Sequence, residues 1–573
     1  MIAGASRRWD PRFGAAVAVL LAVALLARLW GIRSGLPWVY NVDEGDHFVI
    51  RAGQMLGGNL RPTYTGNPPA FTYLLAGIYE LWYGGQSAFE HVYRSADPTE
   101  VWVIARVCSA LLGTLAVWLL YLAGRRLFDG WTGLLAAATM AVAFLPVFYG
   151  KLALNDVPAL VGVCLSLWGS AGVLRRGHRR DYVIAGLGLG IAAATKYTGG
   201  AVVLALIAAA LVQLAGGGAG RRRAALWTPI AGVLALAAFV ALDPYSLIDW
   251  HAFAQGISHQ SSESVGAGKL GASHGSGIVY YLWSLTWGVG WVPAVLAAVG
   301  ALVIVQFDRP AAAMLIPLGA AYLIFMGAQS RWFGRWAMPI IPVVCLLGAY
   351  VCTAAARALG RGRPVVRATV LGAAAVALCA QGTIDSIHSG IVNARTDTRG
   401  LALAYLASQF RPRARVVIEP IAPARWGGRF QRFPALLSHH DRRGRLRIYA
   451  GKPVSLEDYE RTLSPALIGL YESGDYCVVV TGSTEEGRAY ANATEVPDAI
   501  AYYRALARQG TLIFRASPYS LGSAPVAFNF DWSFDYYPVA YVRPGPTVSI
   551  YELHGGRCGF QPPPLLARRP AGR

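Results

Sequence analysis

Residues 40–56 read YNVDEGDHFVIRAGQML, and the interpretation of the chain turns on them. Asp43, Glu44, Asp46 and His47 crowd together directly after the first apolar stretch, residues 13–30. A charged side chain in hydrocarbon costs roughly 3 kcal/mol or more, so this cluster belongs at a membrane surface or in a hydrated cavity. A second polar loop, residues 151–158 (KLALNDVP), carries Lys151, Asn155 and Asp156 and is bound by the same constraint. The rest of the chain reads as a scaffold that sets these two loops opposite each other.

Composition makes the scaffold a membrane. Of 573 residues, 55% are hydrophobic and only 14% charged, with a mean hydropathy of +0.41, which excludes an ordinary soluble protein. The net charge of +20 does not point to nucleic acid. A nucleic-acid binder gathers its basic residues on one soluble face, whereas here many of them punctuate apolar spans. Hydropathy marks spans near residues 13–30, 102–123, 131–148, 157–174, 182–195, 199–214, 225–242, 280–305, 311–326, 337–354 and 369–380, about eleven crossings of a ~30 Å core. With Arg7 and Arg8 in the cytoplasm, every second loop is cytoplasmic. Those loops carry Arg125 and Arg126, Arg175 to Arg180, Arg221 to Arg223, Arg309, and Arg357 to Arg367, as the positive-inside rule requires. The odd count leaves both acidic loops and the C-terminal region on the outer face. The first span lacks a small-residue cleavage site and closes on Arg28 and Trp30, so it reads as a retained anchor.

Two segments between the first spans, 43–56 and 68–82, mix polar with aromatic residues and read as helices lying at the interface. Asn67-Pro68-Pro69 starts the second, since proline is tolerated in a first helical turn. Residues 243–277 end in SHQSSESVGAGKLGASHGSG, too poor in apolar surface to pack alone, and read as a mobile lid. Beyond Gln381, helix-like stretches alternate with short apolar runs. The chain therefore divides into a transmembrane domain, 1–384, and an extracytoplasmic α/β domain, 385–573. The arginines of this domain, among them Arg411, Arg413, Arg415, Arg442, Arg443 and Arg445, suit either a solvated face near lipid head groups or a binding site for an anionic polymer. Five of the seven cysteines lie in apolar spans as small hydrophobes, which leaves Cys477 and Cys558 as the pair able to form a disulfide.

An Asp-Glu pair after the first span, the Pro-Pro helix start, Asn155-Asp156-Val157-Pro158, Thr195-Lys196-Tyr197-Thr198-Gly199, and Arg331-Trp332 followed by Arg335-Trp336-Ala337-Met338-Pro339 occur in an order that resembles the C-class (GT-C) integral-membrane glycosyltransferases. Within them the chain resembles the branch of protein O-mannosyltransferases and lipid A aminoarabinose transferases. The match covers about two thirds of the chain. It implies an all-α polytopic membrane core that transfers a sugar from a polyprenyl-phosphate carrier to an acceptor hydroxyl at the outer face, with inversion at the anomeric carbon. The acceptor is a glycan, a lipid or a protein. Membrane lipids are the surrounding partner, nucleic acid is not a partner, and the cell membrane is the expected location.

That chemistry needs a carboxylate base, and the resemblance gives Asp43 the role with Glu44 in reserve; an acidic first helical turn stabilised by the dipole is the alternative for both. Asp156 is either a helix cap or a second catalytic carboxylate. The leaving phosphate calls for fixed cations, and Lys196, Arg331 and Arg335 are the candidates, with Arg28 a further one. Each could instead snorkel to phospholipid phosphates. His47, Asn155 and Tyr197 are expected to line the substrate cavity. Asn67 stands where the aminoarabinose transferases carry a lysine, which leaves the donor sugar open. Glu44, His47, His259, Glu263 and His274 can ligate a divalent cation, but no spacing matches a compact zinc motif, so no metal ligands are assigned. A transporter or flippase is the rival class, against which the lack of two similar halves argues.

Overall fold

The computed structural model describes residues 11–265, 270–434, 436–440, 446–450 and 459–559. Arg442, Arg443 and Arg445 lie outside them, as does the centre of the expected lid at 266–269. The chain forms two units: residues 1–32, 43–267 and 274–390, and residues 33–42, 268–273 and 391–573.

The first unit is helical. Its helices are α1 (Pro11–Leu29), α2 (Val42–His47), α3 (Val49–Met55), α4 (Ala70–Tyr83), α5 (Gln86–Tyr93), α6 (Thr99–Leu127), α7 (Gly130–Val142), α8 (Phe144–Phe148), α9 (Ala159–Arg175), α10 (Arg179–Thr195), α11 (Val203–Ala215), α12 (Gly218–Leu242), α13 (Tyr245–Ile248), α14 (Trp250–Val265), α15 (Gly277–Gly288), α16 (Trp291–Phe307), α17 (Arg309–Gly327), α18 (Ile341–Leu359) and α19 (Pro364–Asn393). Among the described residues six helical stretches are long and apolar enough to cross a membrane, or seven counting the bent pair of α7 with residues 144–151. Three shorter apolar helices, Phe13–Leu29, Ala159–Arg175 and Trp291–Phe307, accompany them. Large apolar side chains such as Leu236, Leu302 and Phe325 stand exposed on α12, α16 and α17, as the lipid-facing surface of a multi-pass membrane protein requires.

Two expected spans are interrupted. The stretch 280–305 is two helices, α15 and α16, parted at Gly290, whose φ of +129° suits glycine alone. The stretch 131–148 bends by 61°. Ala143 is extended there (φ −56°, ψ 134°), and Pro146 has no N–H to give the preceding turn. The carbonyls released at the bend find other donors: Arg28 Nη1 reaches Ala141 O at 3.1 Å and Ser386 Oγ reaches Val142 O at 2.8 Å. The bend delivers the chain into the loop 149–158.

The two segments expected at the interface are helical with one change: the first is split into α2 and α3. Helix α4 buries Phe71, Leu75 and Tyr79, one helical stripe, and exposes Leu81 and Trp82. The mobile lid expected over 243–277 is corrected in part. Residues 250–265 form α14, because Trp250, Phe253, Ala254 and Ile257 recur at helical spacing and Phe253 packs on Tyr197, with ring centroids 6.1 Å apart.

Helix α10 is clamped between neighbours that approach to backbone contact. A Cβ on Gly162 of α9 would lie 2.3 Å from Ala192 N, and one on Gly190 would lie 2.3 Å from Ala235 O of α12. In lipid, where apolar surface gives no drive to associate, such close approach is what holds helices together.

In the second unit, helix α20 (Thr398–Gln409) precedes a five-stranded sheet of order β2-β1-β5-β7-β6, built from β1 (Arg415–Ile418), β2 (Gln431–Arg432), β5 (Val478–Gly482), β6 (Gly510–Ala516) and β7 (Val548–Leu553). A separate hairpin comprises β3 (Leu436–His440) and β4 (Leu446–Ala450). Strand β1 runs parallel to β2 and β5, and β7 antiparallel to β5 and β6. Every residue of β5 is buried. Cys477 and Cys558 form a disulfide, with Cα atoms 5.4 Å apart. Residues 33–42 belong to this unit: Trp38 and Tyr40 join its core, and the Arg399 guanidinium lies 3.5 Å over the Tyr40 ring.

Candidate active site

The two acidic loops meet in the first unit. Asp43, in the first turn of α2, pairs with Arg335. Asp156 pairs with Lys196, which follows the last turn of α10. Each ion pair joins an expected catalytic carboxylate to an expected phosphate-binding cation, and the pairs lie within electrostatic range of each other. Asp43 is 38% exposed and Asp156 3%. Burial pulls Lys196 below the ordinary lysine range, and the Asp156 carboxylate opposes that pull.

Local folding explains these positions. Asn155 Nδ2 donates to Thr195 O at 2.9 Å, tying the 149–158 loop to the C-terminus of α10. Arg335 sits in the 3₁₀ helix Gly334–Ile340, its guanidinium 5.8 Å from the Tyr149 ring centroid and 5.6 Å from that of Phe333. Arg331 lies four residues earlier, half-buried.

Glu44 is completely buried. Its oxygens accept Arg106 Nε at 2.6 Å and Nη2 at 2.8 Å, and Ala153 N at 2.9 Å. Arg106 also donates to Ile32 O at 2.7 Å. The two loops are therefore stapled by one carboxylate, while the neighbouring Asp43 stays partly exposed beside Arg335. Arg106 is the residue that sequence reasoning missed, although a lone arginine inside an apolar span is a signal in itself. Arg28, a candidate for phosphate binding, instead spends Nη1 on the carbonyls of Ala24 and Ala141.

His47 stacks on Tyr64 with centroids 4.8 Å apart and approaches Asp43 at 3.7 Å. Burial lowers its pKa, against the pull of Asp43. Tyr197 donates to Thr65 O at 3.3 Å and, with Asn67, lines a small cavity. Among the described residues no three His, Cys, Asp or Glu side chains converge as a metal ion would need. His259 and His274 are exposed.

A family model described as dolichyl-phosphate-mannose-protein mannosyltransferase matches residues 100–244. Comparison with curated proteins gives no match. Among solved structures, ArnT from Cupriavidus metallidurans in the apo state aligns with a TM-score of 0.52 at 15% identity, covering 94% of this chain and 98% of that one. The same protein bound to undecaprenyl phosphate gives 0.49 at 16%, covering 95% and 98%. The apo oligosaccharyltransferase of Archaeoglobus fulgidus gives 0.46 at 14%, covering 92% of this chain and 75% of its own. With its family match inside the helical unit and the ArnT fold along nearly its whole length, the chain resembles the C-class integral-membrane glycosyltransferases of the protein O-mannosyltransferase and lipid A aminoarabinose transferase branch.

Proposed function

We propose that this protein transfers a sugar from a polyprenyl-phosphate carrier to an acceptor hydroxyl at the outer face of the cell membrane, with inversion. The reading assigns about eleven crossings, a cytoplasmic N-terminus and an extracytoplasmic second unit. The Cys477–Cys558 disulfide supports that placement, since disulfides persist in oxidising compartments.

The observation that carries the proposal is the coupling of each carboxylate to a cation in the pairs Asp43–Arg335 and Asp156–Lys196. A lipid phosphate brought between the pairs competes with Asp43 for Arg335 and draws on Lys196, which stays anchored by Asp156. Asp43, released from Arg335, then accepts the proton of the acceptor hydroxyl. The acceptor oxygen forms a bond to the anomeric carbon as the anomeric carbon–oxygen bond to phosphate breaks. The electron pair of that bond leaves on the phosphate, where Lys196 and Arg335 stabilise the growing charge. Asp156 fixes Lys196, and Glu44 fixes the loop from which Asp43 projects. The donor has to bind before the base is free, so the order of binding is donor first.

The test is mass spectrometry of the purified protein incubated with a panel of polyprenyl-phosphate sugars and candidate acceptors, alongside Asp43→Asn. The variant keeps donor binding and loses at least roughly a hundredfold in turnover, the usual span for a general base. Undiminished turnover removes Asp43 from that role. Carrier movement across vesicles without transfer identifies a flippase instead.

A further inference from the structure

Helix α14 has three faces, and the contacts of the first unit account for one. On that face Ala252 O accepts Thr65 Oγ1 at 2.8 Å, a Cβ on Gly256 would lie 2.2 Å from Thr65 Oγ1, and Phe253 meets Tyr197. A second face, with His251, Gln255, His259 and Ser262, is polar and exposed, as a face in water should be. The third carries Trp250, Ala254 and Ile257 at helical spacing. Trp250 and Ile257 are large apolar side chains, and both stand exposed.

This third face follows directly on lipid-facing surface. Helix α12 has 25 residues, about 37 Å of helix, more than a ~30 Å hydrocarbon core, so its end at Leu242 reaches the head-group level. Leu226, Val233 and Leu236 are exposed along it, and past its end Leu247 and Ile248 of α13 and then Trp250 are each more than half exposed. Charge does not interrupt the series. Of the two acids in between, Asp243 is buried and Asp249 is paired with Arg61. From Trp250 to Ser262 the sequence has no Lys, Arg, Asp or Glu. A helix with one apolar and one polar face lies in the plane of the membrane interface, and tryptophan is a residue enriched at that level. A protein partner in water would cover α14 alone, whereas one bilayer covers α14 and the exposed residues that lead to it from the span.

We propose that α14 is an interfacial helix, its Trp250–Ile257 face set in the head-group boundary of the bilayer at the end of α12. The consequence reaches the candidate active site. Phe253 packs on Tyr197, Tyr197 donates to the same Thr65 that α14 holds, and Tyr197 directly follows Lys196. The bilayer thereby braces the segment that carries one of the proposed phosphate-binding cations.

The test attaches the environment-sensitive fluorophore NBD at Trp250→Cys and Ile257→Cys on the apolar face and at Gln255→Cys and His259→Cys on the polar face. Each is made singly in the full chain and reconstituted into phosphatidylcholine vesicles. Wild type taken through the same labelling corrects for the native thiols, four of which are buried. All four positions are exposed, thermal unfolding checks each variant, and two positions per face keep the test standing if one fails to fold. At 250 and 257 the emission is shifted to the blue and is quenched by lipids carrying a nitroxide just below the head group, the depth of roughly 5–10 Å at which such a face lies. At 255 and 259 aqueous iodide quenches instead. Iodide quenching at all four positions puts the apolar face in water and overturns the proposal. Quenching at 250 and 257 by neither agent means that protein covers the face, whether the second unit or a second copy, and overturns it as well. Equal quenching by the lipid nitroxide at all four positions sinks the helix below the boundary and removes the interfacial placement. Undecaprenyl phosphate that relieves the lipid quenching at 250 and 257 makes a carrier chain the occupant in place of the bilayer, which also overturns the proposal.

Discussion

Replacing Arg106 with methionine leaves a fully buried carboxylate facing apolar side chains, and its cost can be estimated in two ways. Glu44 loses two charge-assisted hydrogen bonds, at 2.6 and 2.8 Å, and keeps the one from Ala153 N. At roughly 1.5–3 kcal/mol each, this comes to about 3–6 kcal/mol. Breaking a buried ion pair from one side costs roughly 3–5 kcal/mol on independent grounds. The two ranges meet near about 4 kcal/mol, about a thousandfold in an equilibrium constant. Glu44→Gln has a similar cost from the other side, since it buries the Arg106 charge without its partner. The double variant Glu44→Gln/Arg106→Met removes both charges and recovers part of the loss. The assay is thermal unfolding of the four proteins in detergent together with their turnover. Each single variant lowers the unfolding midpoint by roughly 5 °C or more, and the double falls short of the sum. If Glu44→Gln unfolds like wild type but has no turnover, the stapling role is refuted and Glu44 becomes the base.

Lys196→Met removes one of the two cations proposed for the lipid phosphate and weakens binding of undecaprenyl phosphate by roughly tenfold to a hundredfold; Arg335→Met does the same, and unchanged affinity in a fluorescence titration would exclude either residue from the phosphate site. Cys477→Ser/Cys558→Ser opens a loop spanning 81 residues of separation, a loss of about 4.5 kcal/mol in the chain-entropy account. It appears as a lower unfolding temperature that matches wild type under reductant, and a reductant-insensitive wild type would count against it.

Much of this architecture is written in local sequence. Hydropathy places the helices because a bilayer demands some twenty apolar residues for each crossing, and the acidic loops follow from where charge is tolerated. What hydropathy does not carry is the direction of the chain inside an apolar stretch. The bend at Ala143 changes no composition, and Pro146 was its one local mark. The helix 250–265 carried its own signal in Trp250, Phe253, Ala254 and Ile257, which the serine-rich sequence that follows obscured. The residues of the site were legible as residue types, but their partnerships were not. Asp43 and Arg335 are 292 positions apart, and a single sequence has no term that joins them. Glu44 and Asp43 are neighbours of like charge, and only their surroundings separate them: one is fully buried against Arg106, the other partly exposed beside Arg335.

The seams on either side of α10 bear on how variation in this chain is to be read. At Gly162 and Gly190 a single methyl group would meet backbone atoms 2.3 Å away, and a main chain cannot step aside as a side chain can. Such a substitution has to move α10 itself, and Lys196 stands at its end. Activity lost at these glycines therefore reports a displaced helix and not a missing reactant. A side chain at either glycine is excluded by volume alone, with no reference to the charges of the site.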